Sequence, residues 1–181
     1  TEALAGTGPA SVEWKLDGVR IQAHRDGDEV RLYTRNLNDV TDRLGAVGDL
    51  LRALPVSSIV LDGELLGIGE DGTPDAFQDS ASSFGRRSDG AAAGLSIAFF
   101  DIVHLDGNDL LDLPLGERLD LLASVDGLPR IPSTRTDEPQ VAQQVLDDAL
   151  AQGHEGVMVK DLSSPYAAGR RGAAWRKIKP V

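Results

Sequence analysis

The chain has 181 residues, 41% of them hydrophobic and 26% charged, and a formal net charge of −11. This is the composition of an ordinary globular protein, long enough for a sizeable core in one domain or two joined lobes. The sequence has no cysteine, which excludes disulfides, thiolate metal sites and cysteine nucleophiles. The negative charge argues by itself against a nucleic-acid partner. No apolar run approaches the roughly 20 residues of a membrane helix, and no signal peptide is expected.

The first half of the chain is predicted to form strands around one helix. Alternating apolar residues predict a strand over residues 10–25, and residues 30–34 return after a turn as its hairpin partner. Apolar residues at helical spacing predict a helix over residues 39–54. A further strand is expected over residues 57–69.

The second half alternates helices with strands. The patterns predict, in order, a turn at 70–73, a short helix and loop over 75–94, a strand over 95–107, helices over 115–125 and 137–153, and strands over 155–162 and 173–181. Hairpins interleaved with helices favour an α+β fold with mostly antiparallel sheets and helices packed outside them.

The stretch "KLDGVR" is the first candidate for chemistry. On a strand, Lys15 and Asp17 point to the same face, and Gly18 permits a tight bend or a close ligand approach. Arg20 follows and can hold a phosphate. A lysine that acts as a nucleophile must lose its proton, so its pKa must fall from the usual value of about 10.4.

Lysine usage in this chain is unusual. The chain has four lysines: Lys15, Lys160, Lys177 and Lys179. Arginine supplies the other cationic positions. Because lysine is a compact amine that can be deprotonated and arginine is not, these positions are candidates for chemistry. The C-terminal stretch 169–181 is strongly basic and contains no acid.

Three further motifs lie in the first two thirds of the chain. "TRNLNDVT" at 34–41 also fits a plain turn in which Asp39 or Thr41 caps the following helix. "VLDGELL" at 60–66 puts Asp62 and Glu64 on one face of an apolar strand, where burial requires a metal or hydrogen-bond partners. "AFFDIV" at 98–103 puts two phenylalanines on opposite faces, so that one can be core and the other can line a cleft.

Two motifs follow near the C-terminus. "EGVMVK" at 155–160 begins with an acid just after the glycine that ends a predicted helix. "WRKIKP" at 175–180 puts Trp175, Lys177 and Lys179 on one face of a strand. Two lysines on one face repel each other unless an anion lies between them, as a triphosphate or nucleic-acid backbone would.

These six stretches, in this order and at these spacings, resemble the nucleotidyltransferase (adenylation) domain of ATP-dependent DNA ligases. The resemblance covers about residues 10–181 and implies an ATP-grasp-like fold. It implies that Lys15 attacks the α-phosphate of ATP to give lysyl-AMP and pyrophosphate. It also implies that Glu13 reads the adenine edge and that Phe100 stacks on adenine.

The resemblance assigns the remaining site residues to nucleotide and metal. It implies that Arg20 and Arg35 bind the nucleotide and later the 5′-phosphate of a nick. Glu64 is expected to contact the ribose or a metal, and Glu155 to bind the divalent metal, Mg²⁺ or Mn²⁺. The other basic residues are expected to contact phosphate or to lie near the pocket: Lys177 and Lys179 at the α-phosphate, Arg171 at a phosphate, and Lys160 close by.

Residues 1–181 are therefore expected to be an adenylation domain, a fragment of a longer, monomeric ligase acting on nicked double-stranded DNA. The family's C-terminal OB-fold is absent here, as is the N-terminal DNA-binding domain of many relatives. Such a fragment is expected to adenylate itself weakly and to seal nicks poorly, in a bacterial or archaeal cytoplasm. The alternatives are an RNA ligase, a capping-type nucleotidyltransferase, an inactive nucleotide-binding module and an unrelated acidic scaffold.

Overall fold

The computed structural model describes residues 8–67, 95–167 and 174–180. The chain divides into two compact units. The first takes Thr1–Leu16, Leu111–Glu117 and Ile131–Val181, and the second takes Asp17–Leu110 and Arg118–Arg130. The division therefore falls directly after the first two residues of the "KLDG" motif.

The first unit contains a four-stranded antiparallel sheet in the order β7-β1-β8-β9. Its strands are β1 (Ala10–Lys15), β7 (Ser133–Thr136), β8 (Gly156–Asp161) and β9 (Trp175–Ile178), with the helix α3 (Pro139–Ala151). Val145 and Ala149 of α3 pack with Val12, Val157 and Val159 of the sheet in one buried cluster. Burial of these side chains is what stabilises the pairing of α3 with β1 and β8.

The second unit contains a five-stranded antiparallel sheet in the order β3-β2-β4-β5-β6. Its elements are β2 (Val19–Asp26), β3 (Glu29–Thr34), a 3-10 turn (Thr41–Arg43), α1 (Gly45–Ala53), β4 (Ser58–Gly67), β5 (Leu95–Leu105) and β6 (Asn108–Asp109). Ile21, Leu61, Phe99 and Ile102 are all fully buried and form part of its core. The helix α2 (Leu115–Ser124) begins in the first unit and ends in the second.

The predicted α+β class with antiparallel sheets and helices is confirmed, but the single strand over residues 10–25 is wrong. It is two strands in two different sheets, with a break at residues 16–18. A Cβ added at Gly18 would overlap the backbone oxygen of Leu65, so only glycine allows this approach. The sequence carries a sign of the break, because the apolar alternation changes phase between Leu16 and Val19.

Other differences are local. The helix predicted from residue 39 begins as a 3-10 turn, and α1 itself starts at Gly45 without a side-chain cap. Asp39 does not cap α1; its carboxylate accepts hydrogen bonds from the backbone and hydroxyl of Thr41 at 2.9 and 2.5 Å. The strands β6 and β7 were not predicted. The turn at 70–73 and the helix and loop of 75–94 lie outside the described residues.

Candidate active site

Lys15 is the last residue of β1, an interior strand of the sheet of the first unit. Its side chain is 18% exposed and forms an ion pair with Glu155. The pairing of β1 with β8 places Lys15 opposite Gly156, which brings the acid directly before Gly156 next to the amine. A Cβ at Gly156 would overlap a carbonyl oxygen of β9, so this glycine is needed for the strands to meet here.

Glu155 bridges two lysines. One carboxylate oxygen contacts Lys15, and the other lies 2.6 Å from the ammonium nitrogen of Lys179. The carboxylate reduces the repulsion between the two ammonium groups. An anion was expected between Lys177 and Lys179; the structure pairs Lys179 with this carboxylate instead, and the Lys177 side chain is exposed.

Glu13, Lys160 and Trp175 form a second group in the same sheet. Glu13 and Lys160 are each 2% exposed, and the ammonium nitrogen of Lys160 lies 2.6 Å from a carboxylate oxygen of Glu13. The same nitrogen lies 4.1 Å from the centre of the Trp175 ring. The two residues predicted to lie at the nucleotide are therefore directly paired.

The second unit brings together Arg20, Asp62 and Phe100. The Arg20 guanidinium binds both carboxylate oxygens of Asp62, and it lies 5.6 Å from the centre of the Phe100 ring. Asp62 is 3% exposed, and its burial is compensated by this bidentate ion pair. Glu64 accepts a hydrogen bond of 3.2 Å from the backbone of Gly18, which ties the "DG" of the motif to β4.

Two further predicted residues are exposed. Arg35 is exposed on the loop after β3, and Lys177 is exposed on β9. Arg171 lies outside the described residues. In the Arg35 loop, Leu37 has a backbone φ of 63° and is 73% exposed, although leucine disfavours this left-handed conformation.

The sequence motifs indicated no role for Asp62 or Trp175, although "VLDGELL" contains the first residue and "WRKIKP" the second. The signal for Asp62 was a carboxylate in a very apolar strand, which had to find a cation. Trp175 shares a strand face with two lysines in the sequence, but the lysine that it contacts is Lys160 on the neighbouring strand. Pairings between distant segments of this kind carry no local sequence signal.

The predicted metal ligands are carboxylates, which are the hard oxygen donors that Mg²⁺ prefers. Among the described residues, no group of three or more His, Cys, Asp or Glu side chains could hold a metal ion. Mg²⁺ commonly takes only one or two carboxylates together with substrate phosphates and water, so the chemistry of Glu64 and of Glu155 each suits this ion, and both stay predicted ligands.

A shallow depression of about 420 Å³ in the second unit includes none of the predicted site residues. Its polar groups bond to each other and to backbone. His104 lies 3.1 Å from the Ser58 hydroxyl through Nε2 and 2.9 Å from Asp109 through Nδ1, while Arg25 donates to the carbonyls of Leu51 and Leu54. These bonds fix the β5–β6 hairpin and the end of α1, which is a structural role.

The fold and the site define a class: an α+β protein in which the lysine of a Lys-x-Asp-Gly motif ends a strand and pairs with an acid that also binds a second lysine. A family model described as "ATP dependent DNA ligase domain" matches residues 2–179. The chain belongs to this family. Of the helices in the described part of the chain, none has the length and apolar character needed to cross a membrane.

The curated relatives are similar in name and origin. A probable DNA ligase of Pseudarthrobacter chlorophenolicus is 53% identical over 100% of this chain and 36% of its own length. A probable DNA ligase of Saccharopolyspora erythraea is 51% identical over 99% of this chain and 35% of its own length. The chain thus spans about a third of the relatives that it matches.

Two solved structures support the same placement. The ligase domain from M. tuberculosis LigD has a TM-score of 0.76 and 29% identity, over 97% of this chain and 56% of that one. A mycobacterial DNA ligase D complexed with ATP and MES has a TM-score of 0.74 and 29% identity, over 94% of this chain and 54% of that one. The predicted family and fold are therefore confirmed.

Proposed function

We propose that this chain is the part of an ATP-dependent DNA ligase that forms a covalent lysyl-AMP, and that Lys15 is the nucleophile. The observation that carries the proposal is the position of Lys15. It ends the interior strand β1 with its side chain partly exposed, and its partner Glu155 also pairs with Lys179. A merely solvated lysine does not require this arrangement, and the family of the chain supplies the reaction.

In the proposed step the Lys15 nitrogen forms a bond to the α-phosphorus of ATP. The bond between that phosphorus and the oxygen bridging to the β-phosphate breaks, and pyrophosphate leaves with the electron pair. The nitrogen must first lose a proton, and the contacting carboxylate of Glu155 is placed to accept it and pass it to water. Lys15 thereby becomes neutral and nucleophilic.

The lysines near Lys15 serve the charge that builds up on phosphate. Lys179 can exchange its contact with Glu155 for a contact with the triphosphate. The exposed Lys177 lies on β9, two residues before Lys179. Phosphoryl transfer depends mainly on positioning and on such charge stabilisation. Glu155 and Glu64 are the residues proposed to hold Mg²⁺, which when bound would polarise phosphate oxygens.

The other assignments are part of the same proposal. Glu13 is proposed to read adenine, and Phe100, which has Arg20 beside its ring, is proposed to stack on it. Arg35, being exposed, is proposed to meet the 5′-phosphate of a nick, and Arg171 another phosphate. The AMP would then pass to the 5′-phosphate of nicked DNA, with the OB-fold and any DNA-binding domain of the longer protein assisting.

The proposal extends to the location and assembly of the protein. The similar ligases come from bacteria, which supports a bacterial cytoplasmic enzyme. A monomer is proposed, as for the predicted adenylation domain. With net charge −11, this segment is a poor DNA binder by itself, so DNA grip is assigned to the rest of the protein.

The test is intact mass spectrometry of the chain after incubation with ATP and Mg²⁺. We expect a fraction of the protein to gain one AMP, which acid or neutral hydroxylamine removes. Lys15→Arg keeps the positive charge and is expected to gain none, and Lys15→Ala likewise. An AMP adduct that persists in Lys15→Ala would refute the assignment of the nucleophile.

Nucleotide choice and nick sealing test the remaining claims. Labelling by GTP in place of ATP would indicate a capping-type enzyme, and labelling by NAD the other class of ligase. Residues 1–181 alone are expected to seal nicked DNA poorly or not at all. Efficient sealing by this chain would show that the other domains are not needed for DNA binding.

A further inference from the structure

One leucine of the second unit has a backbone conformation that suits glycine and a side chain that the fold leaves in solvent. Leu37 lies on the loop after β3, with a φ of 63°. The residue is 73% exposed, and Leu111 is the other exposed large hydrophobic residue in the described part of the chain. Burial of the side chain therefore does not compensate the strain of this conformation.

The loop that carries Leu37 is closed by backbone hydrogen bonds. The amide of Leu37 donates to the carbonyl of Thr34 at 2.9 Å, and the amide of Thr34 donates to the carbonyl of Asn38 at 3.0 Å. The next pair outward, Tyr33 and Asp39, forms an isolated antiparallel bridge. This is the pattern of a three-residue hairpin loop, whose third residue is left-handed and is usually glycine.

The chain does not use the residues that would fit this position with less strain. Asparagine adopts the left-handed conformation more readily than leucine, and Asn36 and Asn38 lie on either side of Leu37. Glycine would keep the two closing hydrogen bonds, because they join backbone groups. Strain that the local structure does not require, in a side chain that the fold does not bury, indicates a contact with another molecule.

The neighbours of Leu37 indicate the chemistry of that contact. Arg35 is exposed and is proposed above to meet the 5′-phosphate of a nick. Two residues of chain span at most about 7 Å, or about two base-pair rises of roughly 3.4 Å. Asp39, the acid of the loop, accepts two hydrogen bonds from Thr41 at one carboxylate oxygen. A leucine beside a phosphate-binding arginine suits DNA, where apolar side chains pack against sugars and base steps.

We propose that Leu37 packs against the terminal nucleotide of a nick, on the sugar and base that carry the 5′-phosphate. The inference rests on the proposed function and gives this loop an apolar contact beside the contact of Arg35 with phosphate. One strand is interrupted at a nick, so its terminal base unstacks at a lower cost than a base within intact duplex. Leu37 thereby favours nicked over intact DNA.

The experiment measures binding of the full-length ligase to nicked and intact duplexes of one sequence, by fluorescence anisotropy at several salt concentrations. Leu37→Gln keeps nearly the length of the side chain and a comparable backbone strain, but removes the apolar end. It is expected to weaken binding to nicked DNA about five- to tenfold, as for losing part of a buried leucine, and to leave binding to intact duplex nearly unchanged. Leu37→Met stays apolar and should bind as wild-type protein does.

The salt dependence separates the apolar contact from the contact of the cation. Loss of one phosphate contact reduces the slope of log K against log salt concentration by about 0.9, so Arg35→Gln should flatten this slope. Leu37→Gln should lower the affinity by the same factor at every salt concentration and leave the slope unchanged. Leu111→Gln is the matched control, because it also replaces an exposed leucine, and it should change neither quantity.

A nick whose 5′-phosphate lies on an abasic tetrahydrofuran residue tests the position of the contact. Wild-type protein should bind this probe more weakly than the complete nick. Leu37→Gln should lose less affinity on the abasic probe than on the complete nick, because the base that Leu37 contacts is already missing. Equal losses on both probes would overturn the inference.

A purely structural role for Leu37 predicts different results. Leu37→Gly relieves the strain, so it should melt at a higher temperature than wild-type protein and yet bind nicked DNA as weakly as Leu37→Gln. If Leu37 packs against another domain of the ligase instead, Leu37→Gln should lower the melting temperature and weaken binding to nicked and intact DNA alike. That outcome would also overturn the inference.

Failure of this inference can be distinguished from failure of the proposed function. Formation of lysyl-AMP requires no DNA and is measured on every variant. If wild-type protein takes up AMP and binds nicked DNA, but Leu37→Gln binds it equally well, the role of Leu37 is wrong and the proposed function stands. If wild-type protein takes up no AMP from ATP, the proposed function is wrong.

Discussion

The buried ion pair between Asp101 and Arg118 should dominate the stability of the second unit. Both side chains are fully buried, and the guanidinium donates to the two carboxylate oxygens at 2.8 and 3.1 Å. The carboxylate also accepts a 2.8 Å hydrogen bond from the backbone of Ile102. Asp101 follows Phe100 in β5, so the pair also anchors the strand that carries Phe100, the residue predicted to stack on adenine.

Removing one partner leaves the other charge buried and uncompensated. Arg118→Met keeps the length of the side chain and should lower the free energy of unfolding by about 3–5 kcal/mol. That is a large part of the roughly 5–15 kcal/mol that stabilises a typical domain. Asp101→Asn should cost a similar amount, because it leaves the Arg118 guanidinium without its counter-ion.

The double variant Asp101→Asn/Arg118→Met tests the physical reason. With both charges removed, the loss should be well below the sum of the two single losses, by several kcal/mol. Urea denaturation followed by circular dichroism at one pH measures all four proteins. The exposed pair Arg52 and Asp49, 3.5 Å apart, is the matched control, and its removal should cost less than about 1 kcal/mol.

Two results would contradict this reasoning. A cost below about 1 kcal/mol for Arg118→Met would mean that the carboxylate left behind finds water or another donor. Additive losses in the double variant would mean that each side chain stabilises the unit by packing rather than through their mutual charge. In either case the position of Phe100 would not depend on the ion pair. ATP labelling by folded Arg118→Met protein should then equal that of wild type.

Three further predictions follow from the backbone and from the histidines. Leu37→Gly should raise the free energy of unfolding by about 1 kcal/mol, because it removes a leucine with a left-handed backbone conformation. Leu111→Gly also replaces an exposed leucine and should not raise this free energy. Urea titration of both variants measures the difference. Gly156→Ala should lower stability by about 1–3 kcal/mol, because its Cβ overlaps a carbonyl of β9, and a thermal melt that does not change would refute this. Burial lowers the pKa of His24 and of His154, so the folded state binds fewer protons than the unfolded one, and stability should fall as the pH drops from about 7.5 through 6.5. Replacing both histidines by glutamine should flatten this dependence, and an unchanged slope would show that other groups cause it.

Much of the site could be predicted because short motifs carry both the backbone requirement and the chemistry. "KLDG" combines a strand end, a nucleophile and a glycine that must approach another strand, all within four residues. The antiparallel α+β class could be predicted from alternation and helical spacing. The edge strand β7, "STRT", was missed because it has no apolar alternation, and β6 because it has only two residues.

The partners within the site could not be predicted, because each depends on which strands become neighbours. Nothing near Lys15 in the sequence indicates Glu155, which reaches it only through the β1–β8 register. The same applies to Glu13 with Lys160. The sequence indicated that Asp62 and Glu64 of β4 needed partners, but the choice of partner is a property of the sheet.

The pairing of cations with acids has a consequence for the kinetics of nucleotide arrival. Lys15 and Lys179 share the carboxylate of Glu155, while Lys160 and Arg20 each lie against a carboxylate of their own, so three acids offset three of these four positive charges within a few ångströms. At low salt, where the Debye length is about 30 Å at 0.01 M, an approaching triphosphate therefore meets mainly the field of a chain with net charge −11. Added salt should screen this repulsion and speed up association, which is the reverse of the behaviour of a site that attracts its anionic ligand from a distance.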